Sequence, residues 1–325
     1  MKIGYFLSSE EYSPGQLIDQ ARLAEEAGFD ALWISDHYHP WNDAQGQSSF
    51  VWSMIGAIAQ TCRLPVTTAV TCPTVRIHPA IVAQAAATSN VLLDGRFVLG
   101  VGSGEALNEH VTTSRWPNID VRLDMLEEAV AIMRELWSGD YVTYHGQHYS
   151  VENARIYTRA EQPPPVYVSG LGPKAAELAG RIGDGFVTTQ PDREMLQRFR
   201  DSGGDGKPAQ AGYKVCWSND EDTAVATAHR LWSTSGLPGE LSQVLPSPRH
   251  FEQASALVTE QMTRDAIACG PDLDRHVRAF QPFADAGFDE VYVAQIGGAE
   301  AESSSEKFFE AYAEKVLPRL RAAAE

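Results

Sequence analysis

No apolar run in this chain approaches the roughly 20 residues that a membrane-crossing helix needs. The opening Met1-Lys2-Ile3-Gly4-Tyr5-Phe6-Leu7 enters a strand-like run directly, without the h-region or small-residue cleavage site of a secretory signal. Cysteine is scarce. Cys62, Cys72, Cys216 and Cys269 are scattered and form no CxxC pair, which argues against a disulfide scaffold and against a zinc site. A cytoplasmic protein with reduced thiols and no metal is the expectation. Basic residues are also few: 26 lysines and arginines stand against 43 aspartates and glutamates, a formal net charge of -17. Such a chain repels nucleic acid and anionic membrane, and it has no basic stripe. An anionic ligand must then be held by local features such as backbone N–H groups, helix N-termini or single basic side chains. No Gly-x-Gly-x-x-Gly follows the first strand, which speaks against a dinucleotide site. Internal repeats and long low-complexity segments are absent as well.

What is present is alternation. Strand-like runs fall at 2–7, 31–36, 65–71, 97–102, 166–170, 185–189, 212–217 and 290–296. Amphipathic runs lie between them: 14–27, 50–61, 79–92, 121–137, 173–182, 192–200, 220–232 and 272–286, with a terminal one at 305–323. Pro14, Pro79 and Pro173 suit first-turn positions, Ser13 suits a cap, and Gly28 and Gly183 suit helix ends. Eight strands, each followed by helical sequence, point to a single (β/α)8 TIM-barrel domain over 1–325, with a doubly wound sheet as the alternative. Two stretches exceed what connections need, about 138–165 and about 233–262. The first contains Tyr141-Val142-Thr143-Tyr144-His145-Gly146-Gln147-His148-Tyr149 and reads as a hairpin. Long loops in a barrel are commonly lids or substrate walls.

In a parallel α/β protein the C-terminal strand edge is where chemistry is done. One such edge reads Ser35-Asp36-His37-Tyr38-His39-Pro40-Trp41 after the strand Ala31-Leu32-Trp33-Ile34. A second reads Gly100-Val101-Gly102-Ser103-Gly104-Glu105-Ala106-Leu107-Asn108-Glu109, a glycine turn that delivers a carboxylate. His37, Trp41 and Glu105 are therefore read as one active site. An imidazole titrates near neutral pH and suits acid–base work. A third segment, Val168-Ser169-Gly170-Leu171-Gly172-Pro173, leads from a strand into a helix whose free N–H groups suit a phosphate.

Taken in order, Gly4-Tyr5 with Glu10, Ser35-Asp36-His37 with Pro40-Trp41, Thr71-Cys72-Pro73-Thr74, the Gly100–Glu109 segment and Gly183-Asp184-Gly185-Phe186 form a specific combination. It resembles the luciferase-like barrel superfamily, and within it the coenzyme F420-dependent dehydrogenases grouped around F420-dependent glucose-6-phosphate dehydrogenase. The resemblance implies F420 as cofactor and hydride transfer between a small-molecule alcohol or carbonyl and C5 of the deazaflavin. It implies His37 as the base for the substrate hydroxyl, Glu105 as the acid at deazaflavin N1, Trp41 as a wall, and Glu10 as a substrate-side carboxylate, with His39 in support. It implies cofactor contacts from Asp36, Ala69, Val70, Thr71, Ser103, Gly104, Glu105, Asn108, Ser169, Gly170, Leu171 and Gly172, and a cis peptide near Ala69-Val70. A homodimer is the expected assembly. An FMN-dependent monooxygenase on the same barrel and a non-enzymatic cofactor-binding sensor are the alternatives, and the acid–base set argues against both.

The pattern departs at the substrate. Sugar-phosphate enzymes of this family hold the phosphate with basic residues after strand six and before the last strand. The first place offers Arg198 or Arg200; in the second, only Arg249 and His250 lie between Arg230 and Arg264. Glucose 6-phosphate is therefore not the expected substrate, with a sugar-phosphate dehydrogenase kept as the second alternative. Tyr141, Tyr144, Tyr149, Trp232, Leu237, Leu241 and Val244 in and beside the two long segments are read as walls for an uncharged or partly apolar alcohol.

Overall fold

The computed structural model describes residues 1–113, 115–300 and 304–322. Eight parallel strands close into a barrel: β1 (Lys2–Leu7), β2 (Leu32–Ile34), β3 (Val66–Thr68), β4 (Phe97–Val101), β5 (Val166–Ser169), β6 (Gly185–Thr188), β7 (Ala209–Cys216) and β8 (Glu290–Gln295). Each strand pairs with its sequence neighbour, and β8 returns to β1 with Lys2 opposite Glu290. No strand edge is left open in the barrel, so the backbone ladder is satisfied all round.

The outer ring is α1 (Pro14–Ala27), α2 (Val51–Thr61), α3 (Pro79–Leu92), α4 (Ile119–Leu136), α5 (Pro173–Ile182), α6 (Arg193–Phe199), α7 (Leu273–Ala286) and a C-terminal helical run from Ser305 to Ala322. Residue 323, the end expected for that run, lies outside the described residues. Local sequence explains the helix ends. Ser13 caps α1, with Gln16 reaching back to its N–H at 3.0 Å, and Pro14 takes the first turn. Gly28 ends α1 in the left-handed conformation at φ 88°. Gly183 does not: its φ is -84°, and α5 passes into an extended link to β6.

Two apolar layers result. The outer one lies between sheet and helices. The inner one plugs the barrel, with Trp33 and Tyr292 stacked at 4.4 Å and Phe6, Tyr167 and Val187 around them. Gly4 makes room for this plug, since a Cβ there would stand 2.2 Å from the Tyr292 ring. The plug puts the usable space at the C-terminal mouth of the barrel.

Several boundaries differ from the sequence reading. β2 and β3 stop at Ile34 and Thr68, short of the expected 36 and 71; beyond them only single backbone bonds remain, such as Thr71 N–H to the Gly100 carbonyl, and Thr71 Oγ1 donates to Asp36. The Ala69–Val70 peptide is cis. β7 begins at Ala209, three residues before the expected 212, and its first residues are buried against β6 and β8. The first long segment does form a hairpin, Val142–His145 with Ser150–Ala154. The second is helical. Glu221–Trp232 is followed by short helices at Leu241–Val244, Pro248–Ser255 and Glu260–Ala266, then by a two-residue strand, Ala268–Cys269, on β7.

Candidate active site

The ends of β1, β2 and β4 bring three titratable side chains together. His37 Nε2 lies 3.4 Å from Glu10 Oε1 and 3.4 Å from Glu105 Oε1. His37 Nδ1 is 3.1 Å from the His39 carbonyl. A carbonyl only accepts, so Nδ1 carries the proton and Nε2 is the ring nitrogen turned to the site. Glu10 is buried, and its other oxygen accepts a 2.6 Å bond from Ser35 Oγ. Glu105 follows Gly104, whose φ of 81° is a conformation that glycine adopts freely. Its carboxylate accepts a 2.6 Å bond from Asn108 Nδ2.

Asn108 is a clasp between strand ends. Its Oδ1 accepts from the N–H groups of Tyr38 and His39 at 2.8 and 3.0 Å, while His39 Nδ1 donates to the Leu107 carbonyl. The loop that carries His37 is thereby fixed to the short helix Ala106–Glu109 that carries Asn108. His39 thus supports the loop, and Trp41 closes one side. The Trp41 ring stands 4.9 Å from His37 and 5.1 Å from Phe251 of the inserted helix Pro248–Ser255. Asn42 and Gln45 donate to the Leu231 carbonyl at 3.0 and 2.9 Å, which ties the same loop to the end of the helix Glu221–Trp232.

Asp36 faces away from that trio. Its oxygens accept from Thr71 Oγ1 and Arg76 Nη2, both at 2.8 Å, and its side chain is fully buried. Arg76 also reaches Glu109 through its backbone N–H at 2.7 Å. Burial pushes the Glu109 carboxyl up to about 7, although the guanidinium opposes it. What Asp36 does is pin the β3 loop under the site. Ala69, Val70 and Thr71 lie there, with Thr71 bridged to Val101 of β4.

Ser103 and Gly104 leave β4, and Ser169 to Gly172 leave β5 to enter α5. Because β3, β4 and β5 are neighbours, these segments form one continuous arc of the mouth. At its far end a Cβ on Gly172 would meet open space, and the first turn of ten-residue α5 follows with unused N–H groups.

Other expected residues are elsewhere. Tyr141 is 65% exposed and bonds Tyr157 on the outside of the hairpin, and Tyr144 packs on the outer layer. Neither lines the mouth, because the hairpin lies against the helix ring. Tyr149 donates to the Thr74 carbonyl at 2.8 Å and braces the β3 loop. Arg198 of α6 is tied to Glu177 of α5 and to Glu194 of its own helix, and Arg200 donates to the Gly287 carbonyl; both lie on the outer ring. Arg249 is exposed, two residues from Phe251 on one helix, so the two side chains face different ways.

The sequence reading gave no role to Lys214 and Glu11, and it took Trp232 only as a wall. Lys214 stands on β7 with its Nζ 4.2 Å from the Trp232 ring centroid and 5.7 Å from that of Phe6. Trp232 Nε1 donates to Glu11 at 2.7 Å, and the Gly297 N–H donates to the other Glu11 oxygen. Burial pushes Glu11 up to about 7 and pulls Lys214 down, against the pull of Glu10 and Glu11. A lysine inside a strand as apolar as Ala209–Cys216 is the signal that was available.

Residues 1–290 match the luciferase-like monooxygenase family. The chain belongs to that family. Among curated relatives, the F420-dependent glucose-6-phosphate dehydrogenase of Microbacterium testaceum is 36% identical over 334 residues, covering 99% of this chain and 98% of the relative. That of Amycolatopsis mediterranei is 35% identical over 337 residues and covers 99% of each. Among solved structures, an F420-dependent secondary alcohol dehydrogenase in complex with an F420-acetone adduct is 32% identical, with a TM-score of 0.88 over 98% of this chain and 99% of that one. The long-chain alkane monooxygenase LadA, at 15% identity and a TM-score of 0.73 over 99% and 91%, shares the fold alone.

Proposed function

We propose that the protein is an F420-dependent dehydrogenase that transfers a hydride between an uncharged alcohol, or the matching carbonyl compound, and the deazaflavin. When bound, F420 supplies a two-electron acceptor at C5. The residues present fit it. Gly102 and Gly104 let the β4 end pack close on Val70 and Cys72, where a Cβ would stand 2.8 and 2.5 Å away, and the open space at Gly172 before α5 offers N–H groups to a phosphate.

The chain's own groups then divide the work. His37 Nε2 takes the hydroxyl proton as the carbinol carbon gives up its hydride. Nδ1, donating to the His39 carbonyl, holds the ring in the tautomer that leaves Nε2 free. Glu105 holds a proton on the cofactor side, and Asn108 orients it. Trp41 and Phe251 shut water out of the substrate side. The observation that carries this reading is His37 Nε2 at 3.4 Å from both Glu10 and Glu105, beside Trp41.

The uncharged substrate rests on the missing phosphate grip. Arg198 and Arg200 lie on the outer ring, and Arg249 turns away from Phe251. A phosphate dianion wants several charge-assisted donors, and each one missing costs roughly 1.5–3 kcal/mol. The test is steady-state loss of the oxidised-deazaflavin band with secondary alcohols, free sugars and glucose 6-phosphate, alongside fluorescence titration with F420 and FMN. Turnover of neutral alcohols with F420 is expected. Tight FMN binding without F420 binding overturns the cofactor, and a kcat/KM for glucose 6-phosphate well above the neutral set overturns the substrate class.

A further inference from the structure

Lys214 is a cation whose nearest acidic influences, buried Glu10 and Glu11, act on it without direct contact. It makes no ion pair within 4 Å and no hydrogen bond among the described residues, and its side chain faces into the barrel. Three ammonium donors therefore point into the upper barrel unused. Two aromatic faces hold the ammonium there. One of them, Trp232, is itself locked by its 2.7 Å bond to buried Glu11. Trp41, which borders His37, packs on the same apolar cluster as Trp232 and Ile296. Lys214 thus stands on the wall that Trp41 shares, on the substrate side of the imidazole and across from the cofactor arc.

We propose that Lys214 is a substrate-binding residue, and that the substrate carries a second neutral oxygen, a hydroxyl or carbonyl one or two carbons from the reacting carbon, which accepts a hydrogen bond from Lys214 Nζ. The class follows from the company the ammonium keeps. Glu10 and Glu11 are the acidic groups that act on it, and both are buried. A carboxylate or phosphate brought to Lys214 would face those two side chains, whereas a hydroxyl oxygen accepts from the ammonium with no such repulsion. A purely apolar alcohol would leave the ammonium desolvated with nothing to donate to. This inference rests on the dehydrogenase reading above.

The test uses 2-butanol, 2,3-butanediol, 1,3-butanediol and 3-hydroxybutyrate with F420 and three proteins: wild type, Lys214→Met and Lys214→Gln. Met keeps the stem and removes the donors; Gln keeps a donor without the charge. In wild type at least one diol should exceed 2-butanol in kcat/KM by about tenfold or more, the effect of one hydrogen bond to a charged group. Lys214→Met should lose at least about tenfold more on that diol than on 2-butanol, mostly in KM, and Lys214→Gln should recover part of the difference. F420 fluorescence titration reports that each variant keeps its fold. Equal losses on every alcohol overturn the inference and leave the dehydrogenase reading standing. So does 3-hydroxybutyrate as the best substrate, which would make the cation an anion site. Turnover of no alcohol while F420 binds overturns both.

Discussion

The two halves of the barrel mouth are built differently. On the β1–β4 side, the bonds that fix His37 and Glu105 span no more than 70 residues. Asn108 reaches Glu105 three residues away, and His37 leans on His39 two residues away. On the β7–β8 side, the wall is assembled from remote pieces. Trp232 bonds Glu11 across 221 residues, Asn42 bonds Leu231 across 189, and Trp41 meets Phe251 of an inserted helix. In the proposed function the first side carries the proton chemistry and the second sets what is oxidised.

Substitutions on the two sides should therefore fail in different ways. The largest effect belongs to His37→Ala, which should cut turnover by about 10²–10⁴-fold with F420 binding retained, as expected for a lost general base. Glu105→Gln should also lower turnover, by less. Steady-state rates paired with F420 titration check both, and wild-type rates in both variants would put the chemistry elsewhere. Next comes Arg76→Leu beneath the same side. It strands Asp36 and Glu109 in the interior and should cost about 3–5 kcal/mol in denaturant unfolding, the usual loss when one partner of a buried ion pair goes.

On the other side, Trp232→Phe removes the indole donor from Glu11 but keeps a ring. An unfolding loss of about 1–3 kcal/mol is expected, with KM rising more than kcat falls. A fall in kcat alone would join Trp232 to the proton chemistry and blur the comparison. The smallest effect is a pH slope from Glu11. Burial raises its pKa to about 7, so between about 4.5 and about 7 the folded chain keeps a proton that the unfolded chain has lost. Its contribution to stability is present at low pH and lost as pH rises through 7. The Tm of wild type minus that of Glu11→Gln should shrink as pH rises over that window, and a difference that grows would contradict the assignment.

The same contrast explains what could be read in the sequence. The alternation of 3.6- and 2-residue periods gave the eight strands, and Ser13-Pro14 and Gly28 marked helix ends through local chemistry. His37 and Glu105 were legible because each ends a strand in a motif with its own turn. Lys214 and Glu11 were not, and Trp232 was legible only as a wall, because the Trp232–Glu11 bond and the Lys214–Phe6 contact join segments more than 200 residues apart. Tyr141 and Tyr144 were misplaced for a related reason. Aromatic residues in a long segment say that a surface is needed, and only the packing of the hairpin on the helix ring says which one.

The central claim is that a substrate hydroxyl loses its proton to His37 while its carbon gives a hydride to F420. The direct measurement follows 2-butanol deuterated at the carbinol carbon under single turnover, with mass analysis of the reduced cofactor, in wild type and His37→Ala. The account predicts one deuterium in the cofactor, a primary isotope effect in wild type, and a collapse of the rate in His37→Ala with F420 still bound. Hydrogen from solvent in the reduced cofactor, or an unchanged rate in the variant, would contradict it.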